Sequence, residues 1–203
     1  KTLKDNPNQV KQIISASGIA IYPNSDHIIY TEDSLEKDDS FLGNLVVKWE
    51  QSVDKFQLLD IKICKIRTGV VLSKKGGALA EMLKPIQLGF GSAYGNGKQI
   101  TSWIHLDDLV GIYYLAIQNS LEGTYNAVAT NPVSNKELIQ SIAKTLQKPL
   151  FMPAIPQFVF KILLGEMHQL LFTNQTISNQ KILNKGYVFK YANVQSALND
   201  ILI

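Results

Sequence analysis

The chain has 203 residues, of which 45% are hydrophobic and 18% charged, with a formal net charge of +3. Such a composition excludes a disordered chain, and the length suits one compact domain or a domain with a small added lobe. Residues 1–133 carry 13 basic and 14 acidic side chains and residues 134–203 carry 7 and 3, a surplus too slight and too poor in interleaved aromatics for a nucleic-acid surface. The single cysteine, Cys64, cannot form an intrachain disulfide and fits a reducing, cytoplasmic setting. Lying in the apolar run 61–66, it reads as an inert buried thiol. The chain opens on Lys1 with no signal-peptide pattern. Its most apolar stretch, Phe158–Phe172, is interrupted by Lys161, Glu166 and His168 and is too short to span a bilayer, so no membrane association is expected.

Residues 9–17 alternate and then run apolar, predicting a buried strand that ends in Ser15, Ala16 and Ser17. The segment 22–40 holds six acidic residues between Asp26 and Asp39 and reads as a loop. Phe41, Leu45, Trp49 and Val53 recur four apart, on one face of a helix over 41–57. A second buried strand is predicted over 61–72, then a helix over 78–88 after Gly76-Gly77. Gly89, Gly91, Gly95 and Gly97 predict a flexible loop. A strand over 102–106 follows, then a helix from Asp107 to near Asn119, with Asp107 or Asp108 as its N-cap. A short strand covers 124–129, and Ser134 with Glu137 forms a capping box for the next helix. Pro149, Pro153 and Pro156 break the chain before an amphipathic helix over 157–172, which suits core packing or a homodimer contact. A helix–turn–helix over 179–203 ends it.

Strands alternating with helices predict an α/β fold with a Rossmann-like parallel sheet over 1–147 and a small, mostly helical lobe over 148–203. In such sheets ligands sit at the carboxyl ends of the strands, so the loops after Ser17, Val71 and Ala129 matter most. The glycine-rich turn that cradles a dinucleotide pyrophosphate between a first strand and helix is not in the sequence. His27, His105 and His168 lie far apart without ligand partners at metal spacing, and no G-x-S-x-G elbow occurs, so no metal is expected.

The runs IISASGIAIYP (13–23), RTGVVL (67–72), GFGSAYGNGKQITSWIHLDDLV (89–110) and YNAVATNPVSNKEL (125–138) carry a family resemblance. With LLGE (163–166) and the ending KGYVFKY…AL (185–198), they resemble the epimerase-family, atypical extended short-chain dehydrogenases, often labelled nucleoside-diphosphate-sugar epimerases. The resemblance implies an NADP (or NAD) cofactor and a small-molecule substrate of the nucleotide-linked-sugar kind. It also implies an amino-terminal Rossmann half, on the order of 90–100 residues, that would carry the missing glycine turn.

Members of that class pair a Ser or Thr with a Tyr-x-x-x-Lys dyad for proton and hydride transfer. By the resemblance Ser17 takes the Ser position, with Ser15 and Ala16 as cofactor-side neighbours. The dyad would fall at Phe41 or Leu42 and at Leu45 or Val46, none of which can move a proton. Tyr94 and Lys98 match the spacing, but a glycine loop cannot hold them one helical turn apart. Tyr22 is then the stand-in acid/base. Arg67, Thr68, Gly69 and Val70 are implied to pass the nicotinamide. Alternation puts Gln99, Thr101 and Trp103 on one face of the next strand, which makes Gln99 and Trp103 candidates for the substrate pocket. His105 suits either a switchable base or a hydrogen-bonder at a strand-to-helix turn. An alternative function is a cofactor-binding sensor or scaffold that kept the fold and lost catalysis.

Overall fold

The computed structural model describes residues 2–165 and 171–203. Three parallel strands form its centre: β1 (Gln12–Gly18), then β3 (Lys62–Thr68), then β7 (Gly123–Ala127). Their register sets Ser17 beside Arg67 and Gly18 beside Thr68. β2 (Ile29–Tyr30) pairs with β9 (Thr176–Ile177), so the segment read as a pure loop supplies a short strand to the carboxy-terminal lobe. β4 (Val70–Leu72) pairs with β6 (Trp103–His105), and β5 (Ile100–Thr101) with β8 (Val133–Ser134).

After α1 (Thr2–Asp5), the main helices are α2 (Phe41–Asp54), α3 (Gly77–Gln87), α4 (Leu106–Gln118) and α5 (Asn135–Thr145). The carboxy-terminal lobe adds α6 (Gln157–Leu164), α7 (Gln180–Leu183) and α8 (Val194–Leu202). The expected helix over 157–172 is described as far as Leu164, and 166–170 lie outside the described residues. No described helix is long and apolar enough to cross a membrane.

Gly69 divides the predicted strand 61–72 in two. Its N–H donates to Ala127 O and the next N–H, from Val70, to Ser102 O, so the chain leaves β7 for β6 within one residue. A Cβ at Gly69 would stand 2.5 Å from Ser102 O and 2.8 Å from Val128 Cγ1, which leaves room for glycine alone.

The face of α2 that packs inward is Gly43, Val46, Glu50 and Val53, which shares only Val53 with the predicted stripe. Phe41 is 77% and Trp49 45% exposed, with Leu45 between them. Helical spacing reports that residues share a stripe, not which stripe meets the sheet. Around α4, Ile112 and Ala116 are buried against Cys64, Ile66 and Tyr125. A second core joins Trp103, Leu138, Ile142 and Leu198, welding α8 to α5 and β6. The Cys64 thiol is free and fully buried, and burial pushes its pKa up to about 11, as an inert core cysteine requires.

The capping box at Ser134 is present: its Oγ accepts from Glu137 N, and Glu137 Oε2 accepts from Ser134 N. Ser134→Ala is expected to cost about 1 kcal/mol, a fall in melting temperature of roughly 2–4 °C by calorimetry. α4 is capped by neither Asp107 nor Asp108. Its cap is His105, whose Nδ1 accepts from Asp107 N at 3.0 Å.

Candidate functional site

Two hollows open where β1 and β3 end. The inner one, about 230 Å³, lies between Gly18, Ile19 and Ala20 on one side and Thr68, Gly69 and Val70 on the other. The outer one, about 170 Å³, is bounded by Asn24, Asp38, Ser40 and Leu42, with Gln157 and Phe172 opposite. Ala20, Thr173 and Gln175 line both, so the two form one cleft. The chain therefore closes its sheet's carboxyl edge with residues from its carboxy-terminal lobe.

Beneath the cleft lies a buried polar network. Glu50 reaches inward from α2 and takes two hydrogen bonds from Arg67, Nε to Oε1 and Nη2 to Oε2, each 2.8 Å. Ser17 Oγ donates to Glu50 Oε1 at 2.6 Å. Arg67 Nη1 donates to the Tyr22 hydroxyl, which in turn donates to Asn126 Oδ1, both at 2.8 Å. Lys65 bonds Asp54 at 2.7 Å and stands 3.7 Å from Glu50. Burial favours the neutral form of Glu50, but the hydrogen bonds from Arg67 and Ser17 and the charges of Arg67 and Lys65 outweigh it, holding the carboxyl below its ordinary pKa. Burial likewise opposes the Arg67 charge, and Glu50 outweighs it, raising the pKa.

The sign for stability follows from that depression. A carboxyl with a folded-state pKa below its unfolded value contributes fully above the unfolded value, about 4.3, and loses the contribution as pH falls through the folded one. Denaturant midpoints of the wild-type chain are expected to drop between pH 5 and pH 3, and Glu50→Gln to flatten that drop. An unchanged profile in the variant would show that other carboxyls dominate acid unfolding.

Tyr22 is 0% exposed and its hydroxyl is committed to Arg67 and Asn126. Burial raises its pKa against the lowering pull of Arg67, so the phenol stays protonated at neutral pH. The expected stand-in acid/base is thus placed beneath the cleft rather than in it. Ser17 and Arg67 belong to the same buried network, with Ser17 5% and Arg67 4% exposed. Thr68, Gly69 and Val70 do line the inner hollow.

Other expected site residues lie elsewhere. Ser15 Oγ turns back to Ala16 O, and Ala16 is exposed on β1. Trp103 is fully buried in the core, its Nε1 donating to Asn131 O at 2.9 Å. Gln99 donates from Nε2 to Tyr94 O at 3.1 Å, bracing the glycine loop. Alternation along 99–103 gave the shared direction of these two residues but not what covers them. Sequence reading missed Asp38, Asn24 and Gln175, which lie in loops without motif spacing. Leu42 faces the outer hollow at a position where the resemblance looks for the catalytic tyrosine.

His105, Asp107 and Asp200 bring ligand atoms within 4.8 Å of one another. Since Nδ1 of His105 accepts the Asp107 N–H, the neutral ring carries its proton on Nε2, the atom 3.3 Å from Asp200 Oδ2. That tautomer faces a carboxylate rather than a cation. The ring lies 4.0 Å from that of Tyr191, tilted by 33°, and so ties the start of α4 to the carboxy-terminal segment.

A parallel α/β sheet with its cleft at the carboxyl edge of β1 and β3 defines a Rossmann-like protein. The family model for a domain of unknown function (DUF1731) matches residues 155–201. Epimerase family protein SDR39U1 of Mus musculus is 32% identical over 204 residues, covering 100% of this chain and 69% of its own length. The chloroplastic SDR39U1 homolog of Arabidopsis thaliana is 36% identical over 191 residues, 94% of this chain. The chain spans 54% of the length of that relative. The crystal structure of human epimerase family protein SDR39U1 (isoform 2) with NADPH superimposes with a TM-score of 0.89 at 31% identity, over 98% of this chain and 68% of that one. The chain belongs to the epimerase family of these SDR39U1 proteins.

Proposed function

We propose that this chain supplies the nicotinamide and substrate side of an NADP-dependent, epimerase-like oxidoreductase. The observation that carries the reading is the inner hollow, set between Gly18 and Gly69 at the strand ends where α/β sheets receive ligands. The human relative of the same family is a complex with NADPH. The cofactor would supply hydride transfer. Thr68, Gly69 and Val70 would border its ring, and Asn24, Asp38 and Ser40 would face the substrate, a nucleotide-linked sugar by the family's label. Ser17, Tyr22 and Arg67 would act as positioning residues, fixing the ends of β1 and β3 through Glu50.

A second reading, cofactor binding without turnover, draws on Leu42 in the outer hollow and on a Tyr22 hydroxyl already committed to protein partners. NADPH fluorescence titration separates binding from its absence. The chain joined to the amino-terminal segment of its relatives is expected to bind, and the chain alone is not, because it has no glycine-rich phosphate turn. Micromolar binding by the chain alone would contradict the assignment of the pyrophosphate site. No binding by the joined protein would remove the cofactor reading. NADPH oxidation by a 4-keto sugar nucleotide, or NADP+ reduction by UDP-galactose, then favours the enzyme, and tight binding without turnover favours the sensor.

A further inference from the structure

The glycine-rich loop 89–97 stands out in the sequence and contributes no residue to the cleft. It is nonetheless pinned in place. Tyr94 N donates to Asn135 Oδ1 at 2.8 Å, Ile155 N to Ala93 O at 3.0 Å and Gly95 N to Ile155 O at 2.8 Å. Ser92 Oγ donates to Pro153 O. The loop is thus held between the start of α5 and the strap that runs from Pro149 to Pro156. A third hollow, about 320 Å³ and larger than either part of the cleft, opens among these elements. Glycine lets its walls meet: a Cβ at Gly91 would stand 2.7 Å from Leu150 Cδ2, and one at Gly97 3.0 Å from Lys136 Cβ.

The walls divide by chemistry. Ile139, Leu150 and Met152 give an apolar side. Lys136, Gln140 and Asn96 give a donor-rich side, and all three are exposed. Lys136, Ile139 and Gln140 follow the i, i+3, i+4 spacing on α5 and share one face. Asn96 Oδ1 already accepts from Lys98 N, so its amide offers the Nδ2 donors. No carboxylate lines the hollow, and among the described residues none pairs with Lys136. An ammonium with amide donors beside it calls for an anion, and the apolar wall calls for a hydrocarbon body. We propose that this hollow binds a small aliphatic carboxylate, with its head at Lys136 and its chain along Leu150 and Met152. The site shares no lining residue with the cleft, so it stands apart from the cofactor reading.

The test uses the 203-residue chain, labelled with nitrogen-15, and three probes: hexanoate, hexanol and acetate. Hexanoate is expected to shift the Gly91 amide and the side-chain amides of Asn96 and Gln140, and to saturate. Hexanol keeps the chain without the charge, and acetate keeps the charge without most of the chain. Each is expected to bind at least roughly fivefold more weakly, about what one exposed ion pair or a few buried methylenes supply. Lys136→Gln is expected to bind hexanoate no better than hexanol. Lys144→Gln, in the last turn of α5 and outside the hollow, is expected to keep the wild-type preference. The dispersion of the same spectra verifies that each variant is folded. A preference that survives in Lys136→Gln, or is lost equally in Lys144→Gln, would overturn the role of Lys136. No shift at Gly91, or shifts spread over the lysine-bearing surface without saturation, would remove the site.

Discussion

Arg67→Met is expected to lower the free energy of unfolding by about 3–5 kcal/mol, because it leaves the Glu50 carboxylate in the interior with one short bond from Ser17 and only the more distant charge of Lys65. The guanidinium makes two bonds to Glu50 and one to Tyr22, so the loss reaches from α2 to the loop after β1. Adding Glu50→Leu to Arg67→Met is expected to restore most of that stability. An apolar pair of similar volume leaves no unpaired charge, and replaced buried ion pairs are often neutral or stabilising. Urea titrations of the two single variants and the double variant form the cycle. Additive losses would mean that Glu50 and Arg67 act independently, contrary to their geometry.

The second large effect is expected at Gly69→Ala, with a loss of roughly 3 kcal/mol. The new methyl would meet the Ser102 carbonyl oxygen at 2.5 Å and Val128 at 2.8 Å, and one of these is backbone. The same carbonyl accepts the Val70 N–H, so relief of the clash opens the first rung between β4 and β6. Gly76→Ala is the control: a Cβ there meets nothing within 4 Å, and its extended φ of 165° suits any residue. Its effect is expected to stay within about 0.5 kcal/mol. Comparable losses at the two positions would show that close approach is not what glycine provides at Gly69.

Where a structural signal is local, the sequence carried it. The Ser134 and Glu137 spacing is a complete instruction, because both partners lie within one helical turn. The α/β alternation gave the parallel sheet for a similar reason: each strand and helix declares itself within ten or so residues. Glu50 shows the limit. No motif in the sequence marks it, and the reason it turns inward is Arg67, a partner on the next strand. What covers Trp103 and Gln99 was illegible for the same reason, since a strand's alternation fixes direction and says nothing of the layer above. Thr68, Gly69 and Val70, which line the inner hollow, were named through the family resemblance. Gln175 was not named, because the hollows it lines are assembled from separate parts of the chain.

Tyr187 Oη, Lys190 N and Tyr191 N all converge on the side chain of Asp108, about eighty positions earlier. A carboxylate that gathers three donors from so distant a stretch cannot be satisfied until nearly the whole polypeptide is in place. Closing that long loop is a late event, since distant contacts form only after the entropy of loop closure has been overcome. Gln175 belongs to the part of the chain drawn in at this step, so the cleft acquires its final wall last. A population arrested before this closure would hold a formed central sheet beside an open, unselective groove.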